Sequence, residues 1–542
     1  MTLLSRALGR LAGLRPPETP EVLVERDLRL PAPDGVHLLT DLHLPADRAA
    51  RPTVLVRTPY GRSSILGMLA LPFAERGYNL VMQSTRGTFG SGGVIDFARE
   101  AGDGRSVADW IVTQPWSDGT IATFGPSYLS FTQWALASTR PPQLRAMAIQ
   151  IMASDRRRSF YPGGSFALDT ALEWVQGIAL QERPNGRLAY LREPRAKGAT
   201  ARMTLPLRDA DLVLTGDHVP YYQDWLQHPE PGDPYWEPMR YTPVIPELGI
   251  PISFVAGWYD YFLPYELDDW EAVVRSGAPA QLVVGPWTHR SGRGMLVALR
   301  EALDWFDLHL RGLGPRQTRA PVRLALQPGR RWIDGEEWPA ATALRWHLWP
   351  DGALREPAPP PGPPTRYRYD PADPTPQVGG STLSRDSGPR DNRRLEARSD
   401  VCTFTSRPLR EALTIVGPLT AELYLECDRQ HFDVFARLCD VDRRGRSRNV
   451  TDGLVRIRPG ERTPDAEGVQ RVVVELFPTA YRFQPGHKVR LQVSGGSHPR
   501  YARNLGSGEP LATGTTMLVQ AVGLHHDPVH PSALDLPISE RP

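Results

Sequence analysis

Ser127 has the residue type and the sequence context of a nucleophile in acyl transfer. It stands in Gly125-Pro126-Ser127, after the apolar run Ile121 to Phe124 and before a stretch with helical spacing. A strand, a tight turn, a serine and a helix form a nucleophile elbow, in which the serine hydroxyl stands above the sheet. The helix N-terminus favours developing negative charge. Because Gly-x-Ser alone is common, the assignment depends on residues further along the chain.

An aspartate and a histidine follow Ser127 in the order that α/β-hydrolase triads require. Asp260 comes shortly after the apolar run Ile252 to Ala256, and His289 comes shortly after the run Gln281 to Val284. Open α/β sheets place their sites at the carboxyl ends of strands. We expect His289 to take the proton of Ser127, and Asp260 to fix the histidine tautomer and stabilise the imidazolium. The chain order therefore predicts a Ser-His-Asp triad.

Two groups are candidate donors to an oxyanion. The first is the backbone N–H of Tyr128, the residue after the nucleophile. The second donor usually comes from the loop after an earlier strand, here Thr58 to Gly61, which has no His-Gly-Gly-Gly run. The phenol of Tyr60 is the candidate in that loop, and a tyrosine packed on a cap is the alternative interpretation.

The hydrophobic pattern predicts the elements that position these residues. Val24 to Leu30 and Val36 to Leu44 alternate around a turn, which predicts a hairpin, and short apolar runs then alternate with helical stretches. This alternation of strands and helices predicts an α/β sheet covered on both faces. Residues 154–245 interrupt the alternation, which resumes at residue 246, and we interpret them as a largely helical cap.

Short strand candidates separated by Gly, Pro and Asp turns occupy the rest of the chain, which is typical of an all-β jelly roll. Among them are Leu413 to Val416 and Ala421 to Glu426. The predicted fold is α/β: an α/β-hydrolase sheet with an inserted helical cap, followed by an all-β jelly-roll domain. The catalytic domain is assigned to residues 1–153 and 246–315, the cap to 154–245, and the jelly roll to 316–542.

Composition excludes several classes of function. Lys+Arg is 63 and Asp+Glu is 61, a net charge of +2, which gives no electrostatic reason to expect nucleic acid. The three cysteines, Cys402, Cys427 and Cys439, lack metal or disulfide spacing, so we expect no metal site. No run of apolar residues is long enough for a membrane span, and no secretory signal is evident, so cytoplasm is the expected location.

The motifs resemble those of one family, the cocaine-esterase and X-Pro dipeptidyl-peptidase-like hydrolases (the CocE/NonD group). Arg57 to Tyr60 is similar to its R-x-P-Y motif, and Gln83 to Gly93 is similar to its Arg-Gly-x-x-x-Ser-x-Gly loop. Gly125 to Leu129 resembles its G-x-S-Y-x-G elbow. Gly257 to Asp260 and Gly285 to His289 resemble its G-W-Y-D and G-P-W-x-H motifs. The resemblance is collinear over nearly the whole chain.

The resemblance implies roles for further residues. It implies that Tyr60 is the second oxyanion donor, and that Trp174, which follows the cap motif Pro162 to Gly164, lines the acyl pocket. Ser130 departs from the pattern, because it replaces the glycine that usually ends the elbow motif. The candidate pocket residues are Phe160, Trp174, Tyr261 and Phe262.

The resemblance leaves several substrates open. X-Pro dipeptidyl-peptidases need a carboxylate for a free N-terminus, and α-amino-acid ester hydrolases need acidic residues that closely follow the triad aspartate. Here Asp260 is followed by uncharged residues, Tyr261 to Leu263, which favours a carboxylesterase with an apolar acyl pocket. Glu173 or Asp169 in the cap would supply the charge that the amine-binding alternatives need.

The sequence thus predicts a serine hydrolase that cleaves carboxylic esters through an acyl-enzyme, without a cofactor. The expected partner is a small-molecule ester or amide, with neither nucleic acid nor a membrane, and a homodimer stays an open alternative. A catalytically inactive carbohydrate-binding protein is a remote alternative, against which the intact order of Ser127, Asp260 and His289 speaks.

Overall fold

The N-terminal part of the chain forms one mixed sheet. The computed structural model describes residues 3–19, 21–64, 68–183, 195–314 and 319–539. The strands of this sheet are β1 (Val22–Pro31), β2 (His37–Pro45), β3 (Arg51–Thr58), β4 (Asn79–Ser84), β5 (Ser117–Pro126), β6 (Leu144–Gln150), β7 (Ile252–Tyr259), β8 (Ala280–Thr288), β9 (Val322–Leu326) and β10 (Arg331–Gly335). Their spatial order is β1-β2-β4-β3-β5-β6-β7-β8-β9-β10.

The centre of this sheet is parallel and its edges are antiparallel. β4, β3, β5, β6, β7, β8 and β9 pair in parallel. β1 and β2 form the predicted hairpin, and β10 pairs antiparallel with β9. Every residue of β4 and β7 is buried. Strands that are covered on both faces have near-continuous apolar sequences, as these two do.

Helices cover the sheet and connect its strands. They are α1 (Leu3–Ala12), α2 (Leu71–Ala74), α3 (Glu100–Val112), α4 (Tyr128–Ser138), α5 (Arg156–Phe160), α6 (Leu168–Gln181), α7 (Arg195–Met203), α8 (Ala210–Thr215), α9 (Pro220–Gln227), α10 (Ile245–Leu248), α11 (Leu263–Arg275) and α12 (Gly292–Arg311). A further short helix, α13 (Arg393–Glu396), lies in the C-terminal part. Short 3-10 helices lie at Phe97–Arg99, Pro162–Gly164, Leu207–Asp209, Pro234–Met239 and Thr242–Val244. In the described ranges, no helix combines the length and the apolar composition that crossing a membrane requires.

Alternate residues of β3 face two different cores. Val54 and Val56 pack in a cluster with Phe306 of α12, whereas Leu55 packs in a cluster with Ile111 of α3. Successive side chains of a strand point to opposite faces, so a buried run of this kind requires helices on both sides. The predicted α/β sheet covered on both faces is confirmed.

The connection between β6 and β7 carries the helices α5 to α10, and its described residues contain no strand longer than an isolated bridge. Residues 184–194 of this connection lie outside the described ranges. Phe160, Leu172 and Trp225 of these helices belong to the same apolar cluster as Leu55 of β3. The connection therefore covers the carboxyl ends of the central strands.

The C-terminal part is all-β. Its strands are β11 (Thr342–Leu348), β12 (Leu354–Arg355), β13 (Thr365–Tyr369), β14 (Val401–Thr405), β15 (Leu413–Cys427), β16 (Phe432–Val441), β17 (Ser447–Ile457), β18 (Gln470–Phe483), β19 (Lys488–Ser494), β20 (Gln520–His525) and β21 (Ala533–Ile538). One sheet has the order β12-β11-β21-β15-β20-β13, with β18 on β15, and the other has the order β14-β19-β16-β17. Leu423 of the first sheet and Leu438 of the second share one core, so the two sheets pack as a sandwich.

Two details of the strand pattern were not visible in the sequence. The C-terminal domain is predicted to start at residue 316, and β9 and β10, which follow that residue, pair with the N-terminal sheet. A short apolar run such as Val322–Leu326 has the same pattern in either sheet, so only its pairing with β8 decides. Leu413 to Val416 and Ala421 to Glu426 are one strand, β15, with an irregularity at Pro418, which has no N–H to donate.

Candidate active site

Ser127 lies at the turn between β5 and α4 with a backbone that few residues adopt. Its φ is 57° and its ψ is −127°, and Gly125 has a φ of 135°. A Cβ on Gly125 would lie 2.6 Å from the Leu129 side chain, so the tight turn requires a glycine there. The Ser127 amide donates to the Gln150 carbonyl at 2.9 Å, which ties the turn to β6. This is the strained geometry of a nucleophile elbow.

The structure brings Ser127, His289 and Asp260 together. His289 Nε2 lies 3.1 Å from Ser127 Oγ, and His289 Nδ1 lies 2.8 Å from Asp260 Oδ2. Asp260 is fully buried, and its Oδ1 accepts a hydrogen bond from the Phe262 amide at 2.8 Å. Both histidine distances are within hydrogen-bond reach of a general base and its orienting group. The arrangement can therefore move a proton from the serine hydroxyl to the imidazole.

Both candidate oxyanion donors lie beside the serine. The Tyr60 hydroxyl contacts the Ser127 hydroxyl and accepts a hydrogen bond from Trp174 Nε1 at 3.2 Å. Burial raises the pKa of the Tyr60 phenol, which keeps its proton available for donation. Tyr128 is the first residue of α4, so its amide has no acceptor within the helix. Two donors thus converge beside the position of Ser127.

Ser130 and Gln133 link β5 to β6 behind the elbow. The Ser130 hydroxyl donates to the Gly125 carbonyl at 2.6 Å and accepts from the Gln150 amide at 2.9 Å. Gln133 Nε2 donates to the Gly125 carbonyl at 3.1 Å and to the Ala148 carbonyl at 3.0 Å. The sequence identified Ser130 only as a departure from the family glycine, because a hydroxyl's partners across strands are not visible in a motif.

A small cavity opens beside Ser127. Its volume is about 30 Å³, enough for roughly two water molecules. All four predicted pocket residues line it, so the structure places them together. The cavity is bounded by Ser127, Tyr128, Met152, Arg156, Ser159, Phe160, Thr170, Trp174, Tyr261, Phe262 and Leu383. None of these lining residues is a carboxylate, and one is an arginine.

Arg156 is the lining residue that sequence reasoning missed. It is 5% exposed and stands in the run Asp155-Arg156-Arg157-Arg158, at the start of α5. Consecutive arginines usually indicate a solvated surface, and Arg158 does lie half-exposed beside Asp268. Because the side chains of a helix point to different faces, one arginine of this run enters the cavity. Aromatic rings surround its buried guanidinium.

Asp169 and Glu173, the two cap carboxylates that were candidates for binding an amine, already form ion pairs with arginine. Arg202 Nε lies 2.7 Å from Asp169 Oδ1, and Arg202 Nη2 lies 2.7 Å from Glu173 Oε1. Asp169 also accepts from the Thr382 hydroxyl at 2.9 Å, and Glu173 lies 3.0 Å from Arg290. Their charges are therefore compensated within the protein, and neither residue lines the cavity.

Helix α11, which follows Asp260 in the chain, carries two buried carboxyl groups that sequence reasoning missed. Burial, with Asp260 nearby, raises the pKa of Glu266 well above its ordinary value. Burial also raises the pKa of Asp269 to about 7, against hydrogen bonds from Ser154. Asp269 accepts from the Ser154 amide at 2.7 Å and from its hydroxyl at 2.6 Å. These hydrogen bonds of Asp269 connect α11 to Ser154, in the segment that follows β6.

One cluster far from the triad along the chain has the residue types of a metal site. The candidate ligand atoms of His525, Asp527 and His530 lie within 4.8 Å of one another. His530 is already bonded to Asp465 at 2.8 Å and to Asp527 at 3.3 Å. Although burial lowers the pKa of His530, these two carboxylates raise it above its ordinary value. A charged imidazole between carboxylates accounts for this cluster as an ion-pair group.

Comparisons with known protein families and with individual proteins agree on one family. Residues 34–291 match the model of X-Pro dipeptidyl-peptidase (S15 family), and residues 316–535 match that of the X-Pro dipeptidyl-peptidase C-terminal non-catalytic domain. The chain is 31% identical to cocaine esterase from Rhodococcus sp. (strain MB1 Bresler), over 96% of this chain and 99% of the relative. The similarity therefore includes both the catalytic sheet and the all-β domain.

Solved structures share the fold over the same length. An α-amino acid ester hydrolase superposes with a TM-score of 0.81 at 22% identity, covering 97% of this chain and 98% of the other. An aminopeptidase from a marine sediment archaeon (Thaumarchaeota archaeon) gives a TM-score of 0.79 at 20% identity, with the same coverage of 97% and 98%. The chain belongs to the CocE/NonD-type hydrolases, the cocaine-esterase and X-Pro dipeptidyl-peptidase-like family.

Proposed function

We propose that this protein is a serine carboxylesterase in which Ser127 is the nucleophile, His289 the general base and Asp260 the orienting residue. The observation that carries the proposal is the continuous chain of contacts from Ser127 Oγ through the His289 ring to Asp260, at 3.1 and 2.8 Å. The similarity to a cocaine esterase, 31% identical over 96% of the chain, supports an ester as the substrate.

In this mechanism His289 removes the proton of Ser127 as the serine oxygen attacks the ester carbonyl. The Tyr60 hydroxyl and the Tyr128 amide donate to the oxyanion of the tetrahedral intermediate. His289 then protonates the departing alcohol, and an acyl-enzyme remains on Ser127. Water, activated by the same histidine, releases the acid and restores the serine. Each step uses groups of the protein and water, so no cofactor is needed.

An ester is favoured over a substrate with a free amine because of the charges around the cavity. No described residue that lines it is acidic, and the guanidinium of Arg156 repels an ammonium group. Asp169 and Glu173 are both bound to Arg202, so they are not free to receive a cationic group. Removing either from its partner would leave a partly buried charge uncompensated.

A cytoplasmic location belongs to the same proposal, and the state of the cysteines supports it. Cys402, Cys427 and Cys439 are all free thiols. Burial raises the pKa of Cys402 and of Cys439 to about 12, so both stay protonated and unreactive. Disulfides are rare where thiols are kept reduced, as in the cytosol.

The test compares the parent protein with Ser127→Ala on p-nitrophenyl acetate and on Ala-Pro p-nitroanilide. We expect the parent to cleave the ester, and the alanine variant to lose at least about a thousandfold in kcat. Ser276→Ala, at an exposed position after α11, serves as the control and should keep parental activity. Strong turnover of the anilide would show a dipeptidyl-peptidase instead, and equal activity of parent and Ser127→Ala would remove Ser127 from the mechanism.

A further inference from the structure

Arg156 is a buried cation enclosed by aromatic rings. The guanidinium carbon lies between 4.6 and 5.9 Å from the centres of six rings. These rings are Phe97, Tyr128, Phe131, Phe160, Trp174 and Trp225. The faces of aromatic rings are electronegative and attract a guanidinium, so this cage offsets part of the cost of burying the charge. The rings accept no ordinary hydrogen bonds, and the N–H donors of the arginine are left without acceptors from them.

No carboxylate balances this charge among the residues that the structure describes. Arg156 Nε has no hydrogen-bond partner there, and the groups that most favour its charged form are tyrosines, first Tyr128 and then Tyr60. Burial lowers the pKa of the guanidinium from its ordinary value, although arginine stays protonated at neutral pH. Burying a charge without a partner is costly, so an anion that entered here would offset this cost and would be bound strongly.

The position of the cavity shows which part of a substrate would meet this arginine. Arg156 and Ser127 line the same cavity, and His289 is not among the described residues that line it. Since His289 protonates the leaving group, the alcohol must depart on the side of the histidine. The cavity beside Arg156 therefore receives the acyl group.

A second polar group of the cavity also lacks a partner. The hydroxyl of Thr170, on α6, is buried and makes no hydrogen bond with the described residues. Ser159, by contrast, donates to the Asp155 carbonyl at 3.0 Å. The hydroxyl of Tyr261, another lining residue, is a third such group. Buried polar groups are almost always hydrogen-bonded, so unpartnered groups on three lining residues of one cavity indicate that a polar ligand completes them.

We propose that Arg156 binds a carboxylate at the end of a short acyl chain, so that the preferred substrate is a monoester of a dicarboxylic acid. This inference rests on the proposed esterase function. The planar fork of a guanidinium matches the two oxygens of a carboxylate, and such pairs are among the stronger hydrogen-bonded contacts in proteins. The cavity of about 30 Å³ restricts the acyl group to a short chain.

Two esters of equal acyl length test this assignment in the parent protein. Monoethyl succinate and ethyl butyrate share the alcohol and differ in a terminal carboxylate or methyl group, and proton release follows both reactions. We expect kcat/KM for monoethyl succinate to be higher by about 10- to 100-fold, the usual effect of hydrogen bonds to a charged group. A ratio near one, or a preference for ethyl butyrate, would overturn the proposal.

Variants locate the effect on Arg156. Arg156→Met should reverse the preference toward ethyl butyrate, and Arg156→Lys, which keeps the charge without the fork, should give an intermediate ratio. Arg158→Met is the matched control, because Arg158 is on the same helix but binds Asp268 outside the cavity. A preference for monoethyl succinate that survives in Arg156→Met would contradict the proposal.

A binding measurement separates this inference from the esterase function. In the Ser127→Ala protein, monoethyl succinate should raise the melting temperature and ethyl butyrate should not, and Arg156→Met in the same background should abolish the shift. Hydrolysis of both esters without a preference leaves the esterase standing and refutes the role of Arg156. If neither ester is hydrolysed, the proposed function fails, and the melting-temperature shift alone decides whether the carboxylate site exists.

Discussion

Two buried arginines, one in each part of the molecule, have opposite surroundings. Arg156 in the catalytic cavity is enclosed by rings and meets no described carboxylate. Arg437 on β16 is fully buried in the all-β domain, where its Nη2 lies 3.0 Å from Asp452 Oδ2. Its Nη1 donates to the Val378 carbonyl at 2.6 Å and to Asn392 Oδ1 at 2.8 Å. The fold itself supplies the partners of Arg437.

The carboxylate of Asp452 serves two arginines at once. Arg500 bonds its Oδ1 while Arg437 bonds its Oδ2. Burial raises the pKa of Asp452, but the two guanidinium groups outweigh burial and hold it below its ordinary value. Each guanidinium of this group thus meets a carboxylate of the protein itself, although Nε and Nη2 of Arg500 have no hydrogen-bond partner among the described residues. The comparison teaches that burial alone does not indicate function, whereas a buried charge that the fold leaves without a partner does.

Asp452→Asn should produce the largest effect, because it removes the carboxylate that both arginines share. Breaking a buried ion pair by removing one partner costs about 3–5 kcal/mol. We expect a loss of this size in the free energy of unfolding, measured by urea denaturation. Asp386→Asn, an exposed aspartate in the same part of the chain, is the control and should change little. An unchanged midpoint for Asp452→Asn would mean that the charge group does not stabilise the domain.

Asp269 extends the comparison to a buried carboxyl group whose hydrogen-bond partner, Ser154, is uncharged. Burial raises its pKa from 3.8 to about 7. The hydrogen bonds from Ser154 and the charge of Arg158 oppose this increase, and the charge of Asp268 adds to it. Between these pH values the unfolded chain has lost a proton that the folded chain keeps, so stability falls as pH rises and is constant above about 7.

Asp269→Asn removes this pH dependence. Relative to the variant, the parent should lose up to about 4 kcal/mol of unfolding free energy between about pH 4 and pH 7. Denaturation of both proteins across this range measures the difference. Asp217→Asn, at an exposed position whose charge is not among the influences on Asp269, should leave the dependence intact. A parent-to-variant difference that stays constant with pH would show that Asp269 keeps its ordinary pKa.

Arg156→Met should have the smallest effect on stability and would sharpen the contrast with Arg437. Methionine fits irregular apolar space among rings, and replacing a buried charge with an apolar residue is often neutral or stabilising. We expect the unfolding free energy to change by less than about 1 kcal/mol, or to increase. Arg437→Met should destabilise clearly, because it removes the contacts to Val378 and Asn392. Equal losses in both variants would remove the distinction between the two arginines.

Much of the fold and of the site could be predicted because the signals are local. The apolar runs of β3 to β8 and the helix after Ser127 give the hydrolase sheet, and the order of Ser127, Asp260 and His289 gives the three residues that the structure brings together. The local pattern does not predict strand β17, because the polar residues Thr451 and Asp452 interrupt its apolar residues. Their partners, among them Arg437, are distant in sequence.

The sequence by itself determined where the reacting groups stand, because each follows a buried strand and the carboxyl ends of parallel strands meet at one edge of a sheet. Only the tertiary structure decided which charges those groups meet. Arg156 and Arg158 are neighbours in one run of arginines, yet one enters a cage of rings and the other meets Asp268 at the surface. Burial and pairing depend on residues from distant parts of the chain, and no local pattern records which of them will surround a given side chain.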